Sequence, residues 1–381
     1  MKSTVRMEVT RLRRRCPMAW PVAVLAVALA AVLMVALVAG GLAAGVWAWQ
    51  VRDGGAETDD PAESGAGPVA GANPRPAAAP PPSPPAGLPA PGWSAVDDFA
   101  YQLQNIDLAE LGDSRFDLLV IDYSADGSHE TRFSSAEIGT LKASPGGSKL
   151  VLAYMSIGEA EDYRWYWQPS WDADRDGRPD PGAPTWLGRE NPDWDGNYKV
   201  RYWDPAWQKI IFGTSESYLD LILDAGFDGV YLDIVDAFEY WGPEGESGSG
   251  RETAEQDMVD FVRAIAHYAR VTRGRTGFGV FPQNGEALVR HPEYLEAVTG
   301  IGREDTWNSG NDPQPPEETA FVLAYLDQFR QAGKLVLVID YATRPALIDD
   351  FYPRARTRGF LPYASVRALD HLTFNPGHGP D

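Results

Sequence analysis

Carboxylate or amide side chains follow six of the apolar runs in this sequence, at the point where each run ends. They are Asp122, Glu159, Asp233, Asp236, Gln283, Asn284, Glu304, Asp305 and Asp340. If the runs are parallel strands of one sheet, their carboxyl ends meet at one face and these groups form a ring. Two carboxylates that face each other can cleave an acetal, since one protonates the leaving oxygen and the other attacks or stabilises the anomeric carbon. A structural ion pair or a hydrogen bond to a loop amide explains any one of these acids alone, but the full set favours acetal hydrolysis.

Other hydrolytic chemistries lack their residues. The five histidines all avoid the ends of the apolar runs. A zinc hydrolase would need two or three of them there, and a Ser–His–acid triad would need one as its base. The single cysteine, Cys16, lies beside the N-terminal apolar segment, so the rest of the chain has no disulfide, thiolate metal site or cysteine nucleophile. Hydrolysis by a pair of carboxylates requires no cofactor.

A stretch rich in Trp and Tyr lies between the third and fourth apolar runs. It spans about 70 residues, which is long for a connection between a strand and a helix, and long loops tend to be functional. Aromatic faces stack on sugar rings, so Trp165 and Tyr202 in this stretch are candidate substrate-binding residues. The alternative is that the aromatic rings pack against one another and form a small core of their own.

Within that stretch, residues 172–180 resemble a calcium-binding loop. Acids stand at positions 1, 3, 5 and 9 of the loop, with glycine at position 6, and the acids are Asp172, Asp174, Asp176 and Asp180. Convergent carboxylate oxygens suit Ca²⁺, and the glycine allows the turn. The glutamate that an EF-hand carries at position 12 is replaced by Ala183. A structural Ca²⁺ is therefore one interpretation, and a solvated acidic turn is the other.

Eight short runs of β-branched, aromatic and aliphatic residues alternate with longer amphipathic stretches. The runs are 100–103, 118–123, 150–155, 229–233, 278–282, 298–302, 335–340 and 360–363. Glycines 226, 333 and 359 each follow a helical stretch and precede a strand, where a helix C-cap belongs. The alternation predicts an α/β fold of the (β/α)8 TIM-barrel type over 93–372, with the aromatic stretch inserted after the third strand. An open doubly wound sheet is the competing fold, but no glycine-rich phosphate loop follows the first strand.

The residues before this domain have the pattern of an export segment and a spacer. Four arginines, at 11, 13, 14 and 15, precede an apolar run without any charged residue. We therefore predict a cytoplasmic basic segment (1–17), a transmembrane signal anchor (18–49) and a disordered linker rich in Pro, Ala and Gly (50–92). The domain would then lie outside the cytoplasm, anchored to the membrane, or be secreted if the anchor is cleaved. Residues 373–381 are predicted to form a disordered tail.

The chain carries a formal net charge of −21. An acidic domain repels phosphate backbones, so nucleic acid is excluded as a partner. The same charge would attract a cationic substrate, although solubility explains it equally well.

Four motifs resemble those of one enzyme family. They are Tyr101-Gln102-Leu103-Gln104, Tyr154-Met155-Ser156-Ile157-Gly158-Glu159-Ala160-Glu161, Tyr202-Trp203-Asp204-Pro205 and Gly226-Phe227-Asp228-Gly229-Val230-Tyr231-Leu232-Asp233. The stretch 93–372 resembles the endo-α-1,4-polygalactosaminidase family of glycoside hydrolases, including its branch of exported proteins. The resemblance implies a (β/α)8 barrel that hydrolyses a galactosamine-rich polysaccharide.

The resemblance also implies roles for individual residues. The catalytic Asp that closes the fourth strand falls on Asp233, and the catalytic Glu after the sixth strand falls on Glu304. We expect Asp233 to act as nucleophile or charge stabiliser and Glu304 as general acid and base. The residues expected to position the sugar are Asp122, Tyr154, Glu159, Asp236, Asn284 and Asp340. Two alternatives remain at this point: a glycosidase that acts on another α-linked glycan, and a non-catalytic glycan-binding module tethered at the cell surface.

Overall fold

The computed structural model describes residues 92–380, and eight parallel strands form its centre. They are β1 (Phe99–Gln102), β2 (Leu118–Ile121), β3 (Leu150–Ser156), β4 (Gly229–Asp233), β5 (Gly279–Pro282), β6 (Gly300–Glu304), β7 (Leu335–Asp340) and β8 (Leu361–Ala364). Pairing runs in chain order from β1 to β5 and again from β6 to β8. A parallel bridge between Gln283 and Gly302 joins β5 to β6, and the rings of Phe99 and Tyr363 meet at 5.7 Å across β1 and β8. The predicted α/β fold with parallel strands is confirmed.

Helices connect the strands. They are α1 (Leu108–Asp113), α2 (Ser135–Lys142), α3 (Pro205–Ile211), α4 (Tyr218–Ala225), α5 (Ala237–Trp241), α6 (Ala254–His267), α7 (Pro292–Ala297), α8 (Pro316–Gln331) and α9 (Pro345–Thr357). Short-range sequence signals set their ends. Ser134 and Glu137 form a capping box at the start of α2. Gly226 ends α4 with φ of 88°, as predicted, because a residue with a side chain rarely adopts this left-handed conformation.

Large and small residues complement each other inside the ring of strands. The rings of Tyr101 and Tyr231 lie 5.1 Å apart, and both side chains are 1% exposed or less. A methyl group at Gly302 would overlap the hydroxyl of Tyr231, and one at Gly300 would overlap the ring of Phe281. The two glycines of β6 therefore make room for the aromatic side chains that fill the interior.

The sixth strand begins at Gly300, two residues later than the sequence pattern predicts. Val298 belongs instead to the end of α7, because its amide donates to the carbonyl of Tyr294. The shift brings Glu304 into the last position of β6, so that this side chain is held by sheet backbone rather than by a loop.

The inserted aromatic stretch lies where the sequence predicts it, between β3 and α4. It contains a three-stranded antiparallel sheet in which Trp194–Val200 pairs with Glu159–Glu161 on one side and Leu187–Asn191 on the other. Trp207 donates its indole N–H to the carbonyl of Ile157 at 2.9 Å. The insertion is therefore packed and hydrogen-bonded against the carboxyl end of β3.

The structure tests the prediction for the C-terminal end of the chain but not those for the N-terminal end. The predicted basic segment and anchor, and all of the linker before residue 92, lie outside the described residues. Among residues 92–380, no helix is both long enough and apolar enough to span a bilayer. The prediction of a disordered tail is wrong for residues 373–380, since Asn375 is 7% exposed and the His378 ring stacks on Tyr352 at 4.4 Å.

Candidate active site

The carboxylates of Asp233 and Glu304 share one hydrogen-bond donor, the side chain of Gln283. Its Nε2 donates to Asp233 Oδ1 at 2.8 Å and to Glu304 Oε2 at 2.9 Å. Because both oxygens bond the same nitrogen, they are separated by at most the two distances together, about 5.7 Å. The ends of β4, β5 and β6 thus bring together the two residues that the sequence predicts as the catalytic pair.

Further donors fix each carboxylate in place. Asp233 accepts from the Tyr154 hydroxyl at 2.6 Å and from the amide of Ile234 at 2.8 Å. Glu304 accepts from Asn284 Nδ2 at 3.1 Å and from the hydroxyl of Tyr341. The predicted sites Tyr154 and Asn284 therefore belong to the same cluster as the pair. Their donors orient the carboxylates before any substrate arrives.

The backbone is strained directly beside the cluster. Ile234, Asn284 and Asp305 have φ of 56°, 59° and 51°, and each lies just after one of the three strands that supply the site. A left-handed conformation is costly for a β-branched residue such as Ile234. Such strain persists only where the surroundings enforce it, which is typical of functional sites.

The two acids influence each other electrostatically. Burial raises the pKa of Asp233 well above its usual range, and the negative charge of Glu304 raises this pKa further. Two carboxylates at this separation cannot both ionise freely, so the pair retains a proton to higher pH than an isolated aspartate would. A retained proton is what a general acid requires.

A second group of acids lies beside the pair. Burial and the charge of Glu239 raise the pKa of Asp236 to about 7, while Arg303 and Lys199 lower it. Arg303 donates to Asn284 Oδ1 at 2.9 Å and lies 3.5 Å from Glu286. The acids around Asp236, namely Glu239, Glu286 and Glu304, thus outnumber the bases Arg303 and Lys199.

Glu159 lies next to this group and retains an unused acceptor. One oxygen accepts from Lys199 at 2.5 Å and from Asn191 at 2.9 Å. The other oxygen has no hydrogen-bond partner among residues 92–380, although Glu159 is only 1% exposed. Burial raises the pKa of this carboxyl group. Glu159 and Asp236 therefore remain candidate substrate-binding residues.

The structure corrects two of the predicted sugar contacts, Asp122 and Asp340. Asp122 is 4% exposed and forms a two-pronged ion pair with Arg164, at 3.0 and 2.7 Å. Asp340 is fully buried, and its oxygens accept from the backbone amides of residues 306–308. The carboxylate oxygens of both acids are satisfied by internal partners, so these side chains hold loops next to the site.

Of the two predicted aromatic contacts, Tyr202 is wrong, whereas Trp165 is partly buried and stays a prediction. Tyr202 is fully buried and donates its hydroxyl to the carbonyl of Ala254 at 2.6 Å. Trp165 packs edge-on against Tyr218, with ring centres 4.9 Å apart, and touches Tyr123 as well. Tyr202 belongs to the small aromatic core that the sequence left open as the alternative, and Trp165 packs against it.

Sequence reasoning placed Gln283 in the ring of strand-end groups without giving it a role, and it missed Tyr341 and Arg164. Gln283 and Tyr341 each adjoin a residue that it selected, namely Asn284 and Asp340. Neighbouring residues of an extended strand point to opposite sides. The sequence therefore indicates that a strand end carries polar residues, but it does not show which of two adjacent residues faces the site. Arg164 carries no comparable signal, because its partner Asp122 lies 42 residues away.

The acidic loop gathers three of its four predicted ligands. Carboxylate oxygens of Asp172, Asp174 and Asp176 lie within 4.8 Å of one another. Asp180 instead accepts from the backbone amide of Ala173 at 2.7 Å, and Asp172 accepts from the Tyr198 hydroxyl at 2.6 Å. A structural Ca²⁺ at this loop stays a prediction from the sequence.

The fold consists of consecutive parallel strands, and two carboxylates at the strand ends bond one amide. This is the architecture of a glycosidase. The chain belongs to glycoside-hydrolase family GH114, whose family model matches residues 75–378. The protein is therefore a glycoside hydrolase, and its substrates are glycans.

Relatives in other organisms match most of the chain. An uncharacterized protein of Methanocaldococcus jannaschii is 42% identical over 286 residues, which cover 72% of this chain and 77% of the relative. An uncharacterized protein of Deinococcus radiodurans is 38% identical over 321 residues, or 83% and 94% of the two chains.

Two solved glycan-related structures share the fold at low sequence identity. The glycoside hydrolase domain of PelA from Pseudomonas aeruginosa has a TM-score of 0.51 and 20% identity, and the match covers 74% of this chain and 99% of that domain. Ega3 from Aspergillus fumigatus, solved in complex with galactosamine, has a TM-score of 0.53 and 18% identity, with coverages of 74% and 97%.

Proposed function

We propose that this enzyme cleaves α-1,4-linked, galactosamine-rich polysaccharide at internal bonds. The observation that carries the proposal is the cluster of acids Asp236, Glu239 and Glu286 beside the catalytic pair, because carboxylates can bind the positive ammonium group of an unacetylated amino sugar. The motif resemblance to polygalactosaminidases supports it. Galactosamine is also the ligand in the Ega3 structure.

In this reaction Glu304 protonates the glycosidic oxygen while Asp233 attacks the anomeric carbon. The resulting glycosyl-enzyme is hydrolysed by a water molecule that Glu304, now ionised, deprotonates. The two oxygens that Gln283 bonds lie at most about 5.7 Å apart, which favours the roughly 5 to 5.5 Å separation of retaining enzymes over the roughly 6.5 to 9.5 Å of inverting ones. The proposal therefore includes retention of the anomeric configuration.

Because the pKa of Asp233 is raised, this side chain must lose its proton before it can attack the anomeric carbon. In the free enzyme, burial and the charge of Glu304 favour a proton on Asp233. A substrate ammonium, or the positive charge that develops at the anomeric carbon, stabilises the Asp233 carboxylate and lowers its pKa. Asp233 can then attack as a carboxylate, while Glu304 acts as the proton donor to the leaving oxygen.

The test is cleavage of a partly deacetylated α-1,4-galactosamine polymer by the full-length protein. We expect new reducing ends, a rapid fall in polymer size, and an α-configured first product in proton NMR. Glu304→Gln serves as the control for contaminating hydrolases. A folded parent that left this polymer intact but cleaved another α-glycan would overturn the proposed substrate, and a β-configured first product would overturn the retaining step.

We also propose that the enzyme works outside the cytoplasm, held at the membrane by residues 18–49. The run without charges and the four arginines before it support this location. We expect the full-length protein to sediment with membranes through a high-salt wash and to be released by detergent. A shorter protein free in the medium would show that the segment is cleaved, for example near Ala43-Ala44-Gly45, and would contradict the anchor.

A further inference from the structure

Tyr163 is a half-exposed aromatic residue beside the catalytic cluster. Its side chain is 49% exposed. It lies in the insertion after β3 and faces the loop after β2. Its ring is close to Gly127 of that loop, and its neighbour Arg164 binds Asp122 at the start of the loop. Both loops leave the carboxyl ends of their strands, so Tyr163 is on the face of the fold that carries the chemistry.

The ring of Tyr163 is held on several sides. Its hydroxyl donates to Glu161 Oε1 at 2.5 Å, and the guanidinium carbon of Arg164 lies 4.8 Å from the ring centre. Gly127, with φ of 86°, approaches the ring edge so closely that an added Cβ would lie 3.0 Å from a ring carbon. These contacts fix the orientation of the ring and leave its remaining surface open to solvent.

Tyr163 also lies close to the residues that do the chemistry. Its hydroxyl partner Glu161 lies shortly after the end of β3, and β3 pairs with β4 so that Ser156 is in register with Asp233. Tyr154 of β3 donates to Asp233 at 2.6 Å. Tyr163 is therefore tied to the strand next to Asp233, on the face of the fold that carries the catalytic pair.

We propose that Tyr163 is a stacking platform that binds a pyranose ring of the polysaccharide on the Asp233 side of the catalytic pair. The C–H groups on one face of a pyranose pack against an aromatic ring, and the sugar hydroxyls stay in water. Because the ring is already fixed, binding costs little side-chain entropy. The platform requires only that the enzyme is a glycoside hydrolase and does not depend on the identity of the polymer.

Other exposed aromatic residues lack these properties. Trp194 is 51% exposed, but no ring or cation within residues 92–380 packs against it. Phe321 is 62% exposed and contacts Tyr325 on α8, in the helical layer rather than at the strand ends that carry the acids. Phe321 is therefore a suitable control position.

The experiment compares Tyr163→Ala, Tyr163→Phe and Phe321→Ala with the parent, all as full-length proteins, on the α-1,4-galactosamine polymer. We expect Tyr163→Ala to raise KM about tenfold, equivalent to about 1.4 kcal/mol, with kcat nearly unchanged. Tyr163→Phe keeps the ring and should behave like the parent, as should Phe321→Ala. Thermal unfolding is measured for all four.

The phenylalanine variant separates binding from structure. If Tyr163 acted only through its hydroxyl on Glu161, Tyr163→Phe would be as impaired as Tyr163→Ala and would lower the melting temperature, which would overturn the platform. An unchanged KM in Tyr163→Ala would overturn it as well. If the parent cleaves a different α-glycan, the proposed substrate fails and the same comparison is made on that glycan. A parent that binds neither the galactosamine polymer nor any other α-glycan tested would overturn both proposals.

Discussion

Asp233→Asn is expected to lower kcat on the polymer by at least about a thousandfold. The substitution keeps the size of the side chain, and its one remaining oxygen can still accept from Gln283, but the amide can neither attack the anomeric carbon nor stabilise its charge. The measurement is the initial rate of reducing-end release under saturating polymer. Residual activity above a tenth of the parent rate would contradict the assigned role.

Two companion variants divide the roles of the acids. Asp236→Asn makes the same chemical change three residues away, and we expect it to alter KM far more than kcat, since Asp236 lies beside the pair and not within it. Glu304→Gln should regain activity when azide replaces water as nucleophile on a substrate with a good leaving group, because the lost group is the acid and base. Rescue of Asp233→Asn instead would show that the two roles are exchanged.

Arg164→Met is expected to destabilise the fold by about 3 to 5 kcal/mol. The Arg164 side chain is fully buried between the carboxylates of Asp122 and Glu161, each 2.7 Å away. Removing the guanidinium leaves two buried acids without their counterion and detaches the insertion from β2. The free energy of unfolding is obtained from urea denaturation followed by tryptophan fluorescence.

A matched control for this prediction is Arg354→Met. Arg354 forms an ion pair with Asp350 at 2.9 Å, one turn apart on α9, and both side chains are about half exposed. Exposed pairs contribute about 1 kcal/mol or less, so this variant should be close to the parent. Equal losses in the two variants would show that burial of Arg164 does not matter to the fold.

The order of the fold could be predicted because its signals are local. Strands β4 and β7 span the same residues as their apolar runs, and Gly226 ends α4 as its position suggested. Strand-end reasoning placed Asp233 and Glu304 in a ring of polar groups, since a residue at the carboxyl end of a barrel strand faces the site. Their selection as the catalytic pair came from the motif resemblance.

The neighbours of the pair could not be predicted in the same way. Asp340 and Tyr341 are adjacent, yet Asp340 binds backbone amides while Tyr341 bonds Glu304. Composition likewise predicts an aromatic surface but does not say which rings are buried, and the structure buries Tyr202 while Tyr163 stays half exposed.

The sequence by itself determined the order of strands and helices, the insertion after the third strand, and the polar groups at the ends of the strands. These depend on residue patterns within one element, which act over a few positions. Only the tertiary structure decided which side chains surround the acids, because this depends on strand facing and on pairs formed across the chain. Gln283, shared by Asp233 and Glu304, and the buried contact between Arg164 and Asp122 are set by that packing.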